Sequence, residues 1–251
     1  MTTGVVFRPQ HPPEELRAAV EAAEAAGIDE LWLWEDCFLE GGLTTAALAL
    51  AWSSRITVGI GLLPVPFRNP ALAAMELATL ARTFAGRFTV ALGHGVQDWM
   101  RQVGAAVDSP MTLLREHTIA VRALLAGEKV TVSGRYVSLD QVALDWPPPT
   151  PPLLLIGARG PKTVALAGEV ADGVLLDSVT DPDVVRRARE LVGAERHVAA
   201  YTPIEPTLGA GAVQDWIAEL ERAGADTVIL QGTNEHIDHF PLIAHLAGDV
   251  G

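Results

Sequence analysis

A single cysteine, Cys37, stands in a chain of 251 residues, so no internal disulfide can form. That scarcity predicts a cytoplasmic protein. Positive charge is also scarce: 18 Lys and Arg against 31 Asp and Glu give a formal net charge of −13. Such a surface repels polyanions, which argues against nucleic acid and anionic membranes as partners. An anionic ligand would need a local basic pocket. No apolar run reaches the roughly 18 residues of a membrane helix. The opening stretch MTTGVVFRPQHPPEE lacks a basic region followed by an apolar one, so no secretion signal is expected in it. P-loop and Rossmann glycine spacings, HExxH, a glycosidase-like carboxylate pair and a serine nucleophile elbow are missing too.

Hydrophobic residues are plentiful, at 49%. They fall in short runs that alternate with helical patterns. The runs at Gly4–Arg8, Glu30–Trp34, Ile56–Leu63, Arg87–Leu92, Leu153–Ile156, Gly173–Leu176, His197–Tyr201 and Asp226–Leu230 read as eight strands. They are apolar nearly throughout, as strands buried on both faces are. Eight such strands with intervening helices in about 250 residues predict an α/β fold, a (β/α)8 TIM barrel, spanning residues 1–251 as a single domain. The rival is an open doubly wound sheet. Between strands four and five lies an excursion: a helix at about Met111–Ala126, then VTVSGRYVSL as a hairpin, then the stiff connector DWPPPTPP.

Barrels of this kind place chemistry at the C-terminal ends of their strands. After strand five comes Gly157-Ala158-Arg159-Gly160, with Lys162 two residues on, at the start of a helix. Free N–H groups there favour an anion, and both side chains add charge. The alternative is a plain strand-to-helix turn. Gly93-His94-Gly95 after strand four admits the same two readings. His94 is a candidate proton donor. Glu35-Asp36-Cys37 follows strand two, and strand alternation lets only one of the two carboxylates face the cavity. Cys37 lacks an evident base partner and reads first as a small filler. Trp34, Cys37 and Trp99 are candidate substrate-cavity residues, the two tryptophans as its walls. Gln97–Pro110 reads as either a lid or a fixed turn. His236, His239 and His245 lack a metal-ligand spacing and read as solvated side chains.

Taken together, ELWLWEDCFLEGG, ITVGIGLLPVPFRNPALAAMELATLA, GRFTVALGHGVQDWM and PPLLLIGARGPKTVALAGEVADGVLL resemble the luciferase-like monooxygenase superfamily of flavin and F420 oxidoreductases. AELERAGADTVIL resembles its last helix and strand. The texture is more similar to the F420-dependent branch. The resemblance implies a barrel that holds F420, or alternatively FMN. It implies a strand-three bulge under the deazaflavin ring at Gly61-Leu62, often with a non-prolyl cis peptide. It assigns Asp36, Gly93, His94, Gly95 and Val96 to the ring, and Gly157, Ala158, Arg159, Gly160 and Lys162 to the phosphodiester.

Two departures stand out. The sugar-phosphate dehydrogenases of this branch carry a histidine where Cys37 stands and a glutamate where Val96 stands. Sugar-phosphate oxidation is therefore not expected. The leading expectation is hydride transfer between F420 and a small-molecule substrate, with His94 and Asp36 as catalytic candidates. Alternatives are an FMN monooxygenase, a non-catalytic flavin- or F420-binding protein, and a cofactor-free aldolase or isomerase. A flavin or F420 reductase would supply electrons. The Ala-, Leu- and Met-rich helices Thr44–Trp52 and Ala71–Phe84 predict a homodimer.

Overall fold

The computed structural model describes residues 1–205 and 207–247. Eight parallel strands close into a ring: β1 (Thr2–Phe7), β2 (Glu30–Leu33), β3 (Thr57–Pro64), β4 (Phe88–Gly93), β7 (Leu153–Ala158), β8 (Gly173–Leu176), β9 (His197–Pro203) and β10 (Thr227–Gln231). Their order is β1-β10-β9-β8-β7-β4-β3-β2, closed between β2 and β1. The barrel expectation holds, and the open sheet is excluded.

Closure follows from strands that are apolar on both faces. Side chains alternate inward and outward along each strand. Val6, Trp32, Ala91, Leu155, Leu175, Ala199 and Ile229 fill the barrel interior. Their outward neighbours, Val5, Leu31, Val90, Leu154, Val174, Val198 and Val228, belong to the larger core beneath the helices. At roughly 25 cal/mol per Å² of buried apolar surface, both layers are needed to offset chain entropy.

The helices are α1 (Leu16–Ala25), α2 (Gly42–Trp52), α3 (Pro70–Thr83), α5 (Pro110–Leu125), α6 (Pro161–Val170), α7 (Pro182–Val192), α8 (Ala210–Arg222) and α9 (Phe240–Ala247). Proline occupies the first turn of α3, α5, α6 and α7, where its missing N–H costs nothing. Asn69 and Asp181 cap α3 and α7, each accepting from the N–H two residues on at 2.9 Å. No helix among the described residues is long and apolar enough to cross a membrane.

The excursion after β4 consists of α5 and an antiparallel hairpin, β5 (Val130–Ser133) with β6 (Ser138–Val142). It also holds a short helix, α4 (Gln97–Gln102), that the sequence pattern does not single out. Met100 of α4 is fully buried, and its carbonyl accepts from Ala105 and Ala106 at 2.8 and 3.1 Å. These bonds close a turn between Met100 and Ala106. One expectation fails in the last loop: His239 is not solvated but 1% exposed, packed among Phe7, His11 and Phe240. The loop after β10 folds back over the first βα loop, which periodicity alone could not show.

His117 of α5 is also buried, and its Nε2 lies 3.1 Å from the Arg68 carbonyl. Burial lowers the pKa values of His117 and His239 to about 4. The unfolded chain binds these protons near pH 6.5, whereas the folded chain refuses them until about pH 4. Stability is therefore expected to fall as pH drops from about 6.5 to about 4. Urea midpoints across that range check this. The slope should be shallower in His117→Gln; an unchanged slope would remove His117 from the account.

Candidate functional site

The inward face of each strand continues to its C-terminal end, and there the ring becomes lopsided. On β8, β9, β10, β1 and β2 the next inward residues are Asp177, Tyr201, Gln231, Arg8 and Trp34, all lining one cavity of about 720 Å³. On the adjacent strands β3, β4 and β7 they are Gly61, Gly93 and Gly157. A layer that is bulky on five strands and bare on three leaves room on the bare side. The volume lies within the usual range for a small-molecule site, about 300–1,000 Å³.

Leu62 fills the bare side from within. The Gly61–Leu62 peptide is cis, and the β3–β4 register slips between Gly61 and Leu63. This is the bulge the sequence points to. It turns the Leu62 side chain across the barrel into a notch made by two glycines. A methyl group built on Gly93 or on Gly157 would stand 2.5 Å from Leu62 Cδ2. Those two glycines thus make room for Leu62, and Gly157 lines the cavity as well. Tyr201 holds the bulge from the other side, donating its hydroxyl to the Gly61 carbonyl at 3.2 Å. Burial pushes the Tyr201 phenol well above its ordinary pKa, so it remains a donor.

Of the adjacent carboxylates after β2, Glu35 is spoken for. Its oxygens meet Arg68 at 2.5 and 2.8 Å and the Gly42 N–H at 2.8 Å. This buried, bidentate pair ties β2 to the segment before α3. Asp36 is the carboxylate left to the cavity. Burial raises its pKa, Arg8 opposes that, and Asp177 adds to it.

Arg8, 6% exposed, is the residue sequence reasoning missed most clearly. Its guanidinium donates to Gln10 Oε1 at 3.2 Å, the Gly232 and Thr233 carbonyls at 3.1 and 2.6 Å, and Asn234 Oδ1 at 3.0 Å. It also lies 5.1 Å from the centre of the Trp34 ring. The available signal was its place two residues after inward-facing Val6. Thr163, also missed, lies 3.5 Å from His94 Nε2. Burial lowers the His94 pKa, so the ring is neutral at pH 7.

Asp36, Trp34, Gly61, Leu62, His94, Gly95, Val96, Trp99, Gly157, Ala158, Arg159 and Gly160 all line the cavity. Three candidates do not: Cys37, Gly93 and Lys162. Cys37 is half-buried, with its thiol pKa raised by burial and then by Glu35 and Asp36, the opposite of activation. Lys162 points to solvent on the first turn of α6. Arg159 is exposed and paired with Asp177. The first turn of α6 has no side-chain cap, and a methyl group on Gly160 would meet nothing within 4 Å, so the helix N-terminus opens freely.

Because its folded pKa is raised, Asp36 favours folding only when protonated; its carboxylate costs stability once pH rises above about 4. Asp36→Asn should melt higher than the parent at pH 7, with the difference closing as pH falls to about 4. A parent more stable than the variant at pH 7, by calorimetry, would contradict this.

A family model described as luciferase-like monooxygenase matches residues 1–213. A 5,10-methylenetetrahydromethanopterin reductase from Methanolobus tindarius is 31% identical over 178 residues, covering 71% of this chain and 54% of that protein. An F420-dependent glucose-6-phosphate dehydrogenase from Beutenbergia cavernae is 31% identical over 186 residues, covering 67% and 54%. The chain thus spans about half the length of the curated relatives it matches. The structure of a coenzyme F420-dependent tetrahydromethanopterin reductase from Methanopyrus kandleri superposes with a TM-score of 0.83 at 19% identity, over 99% of this chain and 98% of that one. By the extent of the family match and the shared barrel, this chain belongs to the luciferase-like monooxygenase family.

Proposed function

We propose that the protein is an F420-dependent oxidoreductase that moves a hydride between the deazaflavin C5 and a small organic substrate. The observation that carries the reading is the shelf made by Leu62 in its glycine notch, beside the open N-terminus of α6. A flat ring needs an apolar floor without projecting side chains, and a phosphodiester needs unpaired N–H groups. The floor and the start of α6 share one cavity; there Pro161 has no N–H and the Thr163 N–H already bonds the Gly160 carbonyl, so Arg159 would carry much of the phosphodiester contact. The named relatives include F420-dependent enzymes. The residues fit the group in question.

In this reading Leu62 supports the ring, and the backbone of His94, Gly95 and Val96 meets its edge. Gly157 to Gly160 and Arg159 hold the phosphodiester, with Lys162 at most a distant charge. When bound, the cofactor supplies two-electron hydride chemistry. Asp36 is the proton carrier in this reading: it lines the cavity, and burial raises its pKa, whereas burial lowers that of His94. His94 acts as a neutral hydrogen-bonding group. Trp34 and Trp99 wall the substrate and exclude water. The glucose 6-phosphate activity named for one relative does not carry over, because Val96 supplies no carboxylate and Cys37 lies outside the cavity. An F420 reductase would renew the reduced cofactor. The family's description as monooxygenases favours a second reading, FMN with oxygen and a flavin reductase.

Fluorescence titration of the purified protein with F420 and separately with FMN decides between them. F420 should bind more tightly. Arg159→Ala should weaken it about three- to tenfold, the worth of an exposed charge-assisted contact. Lys162→Ala should change it less. Tighter FMN binding would favour oxygen chemistry, and binding of neither would overturn both readings.

We also infer a homodimer through α2 and α3, whose outer faces expose Leu48, Leu72 and Met75. Light scattering should return twice the chain mass; the mass of one chain would refute the dimer.

A further inference from the structure

The turn after β8 fixes a carboxylate at the edge of the cavity. Asp177 lines that edge, with its side chain 30% exposed. One of its oxygens takes the Arg159 guanidinium, and the other accepts from the Ser178 hydroxyl at 2.9 Å. Ser178 has φ +51°, a left-handed conformation that costs a non-glycine residue roughly 1–2 kcal/mol. The next residue anchors the turn. The Val179 N–H donates to the Tyr201 carbonyl at 2.7 Å, and the Val179 carbonyl accepts from the Thr202 hydroxyl at 2.8 Å. An exposed ion pair adds only about 0–1 kcal/mol to stability, so stability alone does not account for a strained turn around this one.

The charges near Asp177 set what kind of anion the cavity admits. Among the described residues that line it, the cations are Arg8 and Arg159. Arg8 is used up by four hydrogen bonds and faces the Asp36 carboxyl. Glu35 is matched by Arg68, and burial keeps His94 neutral. Arg159 is the cation left for a phosphate, and Asp177 already holds it. A phosphate that binds Arg159 therefore meets the Asp177 carboxylate at the same place. Coulomb repulsion scales with the charge of the ligand, so this carboxylate opposes a dianion about twice as strongly as a monoanion. A phosphodiester carries one negative charge, whereas a phosphate monoester carries about 1.5 to 2 at pH 7.

We propose that Asp177 is a specificity-determining residue, which sets the cavity to accept a singly charged phosphodiester and to disfavour a doubly charged phosphate monoester. The proposal rests on the F420 reading: Asp177 is what favours F420, a phosphodiester, over FMN, a monoester. Arg159 leaves Asp177 for the incoming phosphate. The Ser178 hydroxyl keeps its hold on the freed carboxylate, which stays at the cavity edge and repels excess charge.

The test uses the full-length protein labelled with ¹⁵N. The probes are dimethyl phosphate, a monoanionic diester, and methyl phosphate, a monoester that is dianionic at about pH 8. Binding is followed on the Gly160 amide signal, identified by its loss in Gly160→Ala, where the added methyl group meets nothing within 4 Å. Asp177→Asn should tighten both probes, methyl phosphate about two- to fivefold more than dimethyl phosphate, the worth of one like charge at a solvent-exposed site. About 0.5 M sodium chloride should shrink that difference, because the screening length falls to roughly 4 Å. Should Asp177→Asn not fold, by circular dichroism, Asp177→Ser makes the same comparison. An equal gain for the two probes, a difference that salt leaves unchanged, or a Gly160 signal that neither probe moves would overturn the proposal. So would weaker binding of both probes in the variant, the mark of a carboxylate that only positions Arg159. F420 and FMN titrations of the same samples separate the two readings, and Asp177→Asn should narrow the preference for F420 by about two- to fivefold. F420 binding with that preference or the probe ratio unmoved refutes the role of Asp177 alone. A shifted probe ratio without F420 binding keeps the role of Asp177 and refutes the cofactor.

Discussion

The packing of Leu62 between Gly93 and Gly157 is the contact on which the site depends. It makes an apolar shelf on one side of the barrel mouth and forces the opposite side to carry the bulk. The shelf needs three conditions at once: a bulge in β3 to turn the side chain inward, and no Cβ on either of the two neighbouring strands. A larger residue at Gly93 or Gly157 would displace a packed side chain, since interiors this dense have little slack. Tyr201 completes the arrangement by bonding the bulge at the Gly61 carbonyl.

Around that shelf the charged groups are arranged so that few remain free. Glu35 spends itself on Arg68, Arg159 on Asp177, and Arg8 on the loop after β10. The acidic surface implied by the net charge therefore does not extend into the cavity, where cations and carboxylates balance. Asp36 is the exception. It is half-buried, it has no direct ion pair among the described residues, and its pKa is raised. Perturbed carboxyl groups of this kind are common at catalytic sites.

The resemblance to flavin and F420 oxidoreductases and the cavity involve the same strand ends, but they weigh the residues differently. The sequence treats Gly93 and Gly157 as ligand-facing, Arg159 as a fork onto phosphate oxygens and Lys162 as an added point charge. In the structure the two glycines serve Leu62, Arg159 lies at the cavity, and Lys162 does not. The first glycine of each strand-end motif packs against Leu62; Gly95, Gly157 and Gly160 line the open cavity, and Gly93 does not.

The sequence by itself determined the barrel, because eight short strands apolar on both faces can bury themselves in few other ways. It also located the mouth residues, since each is the local end of a strand. It gave the Gly61-Leu62 bulge only through resemblance. Tertiary structure alone decided which of these residues act together. Arg8 lies more than 200 positions from Gly232, Thr233 and Asn234 and meets them only because β1 pairs with β10. Burial of His239, the partner of Glu35 and the use of the glycines are likewise settled across the ring. Periodicity records which way a side chain points from its own strand. It carries no information about what stands opposite once the sheet has closed.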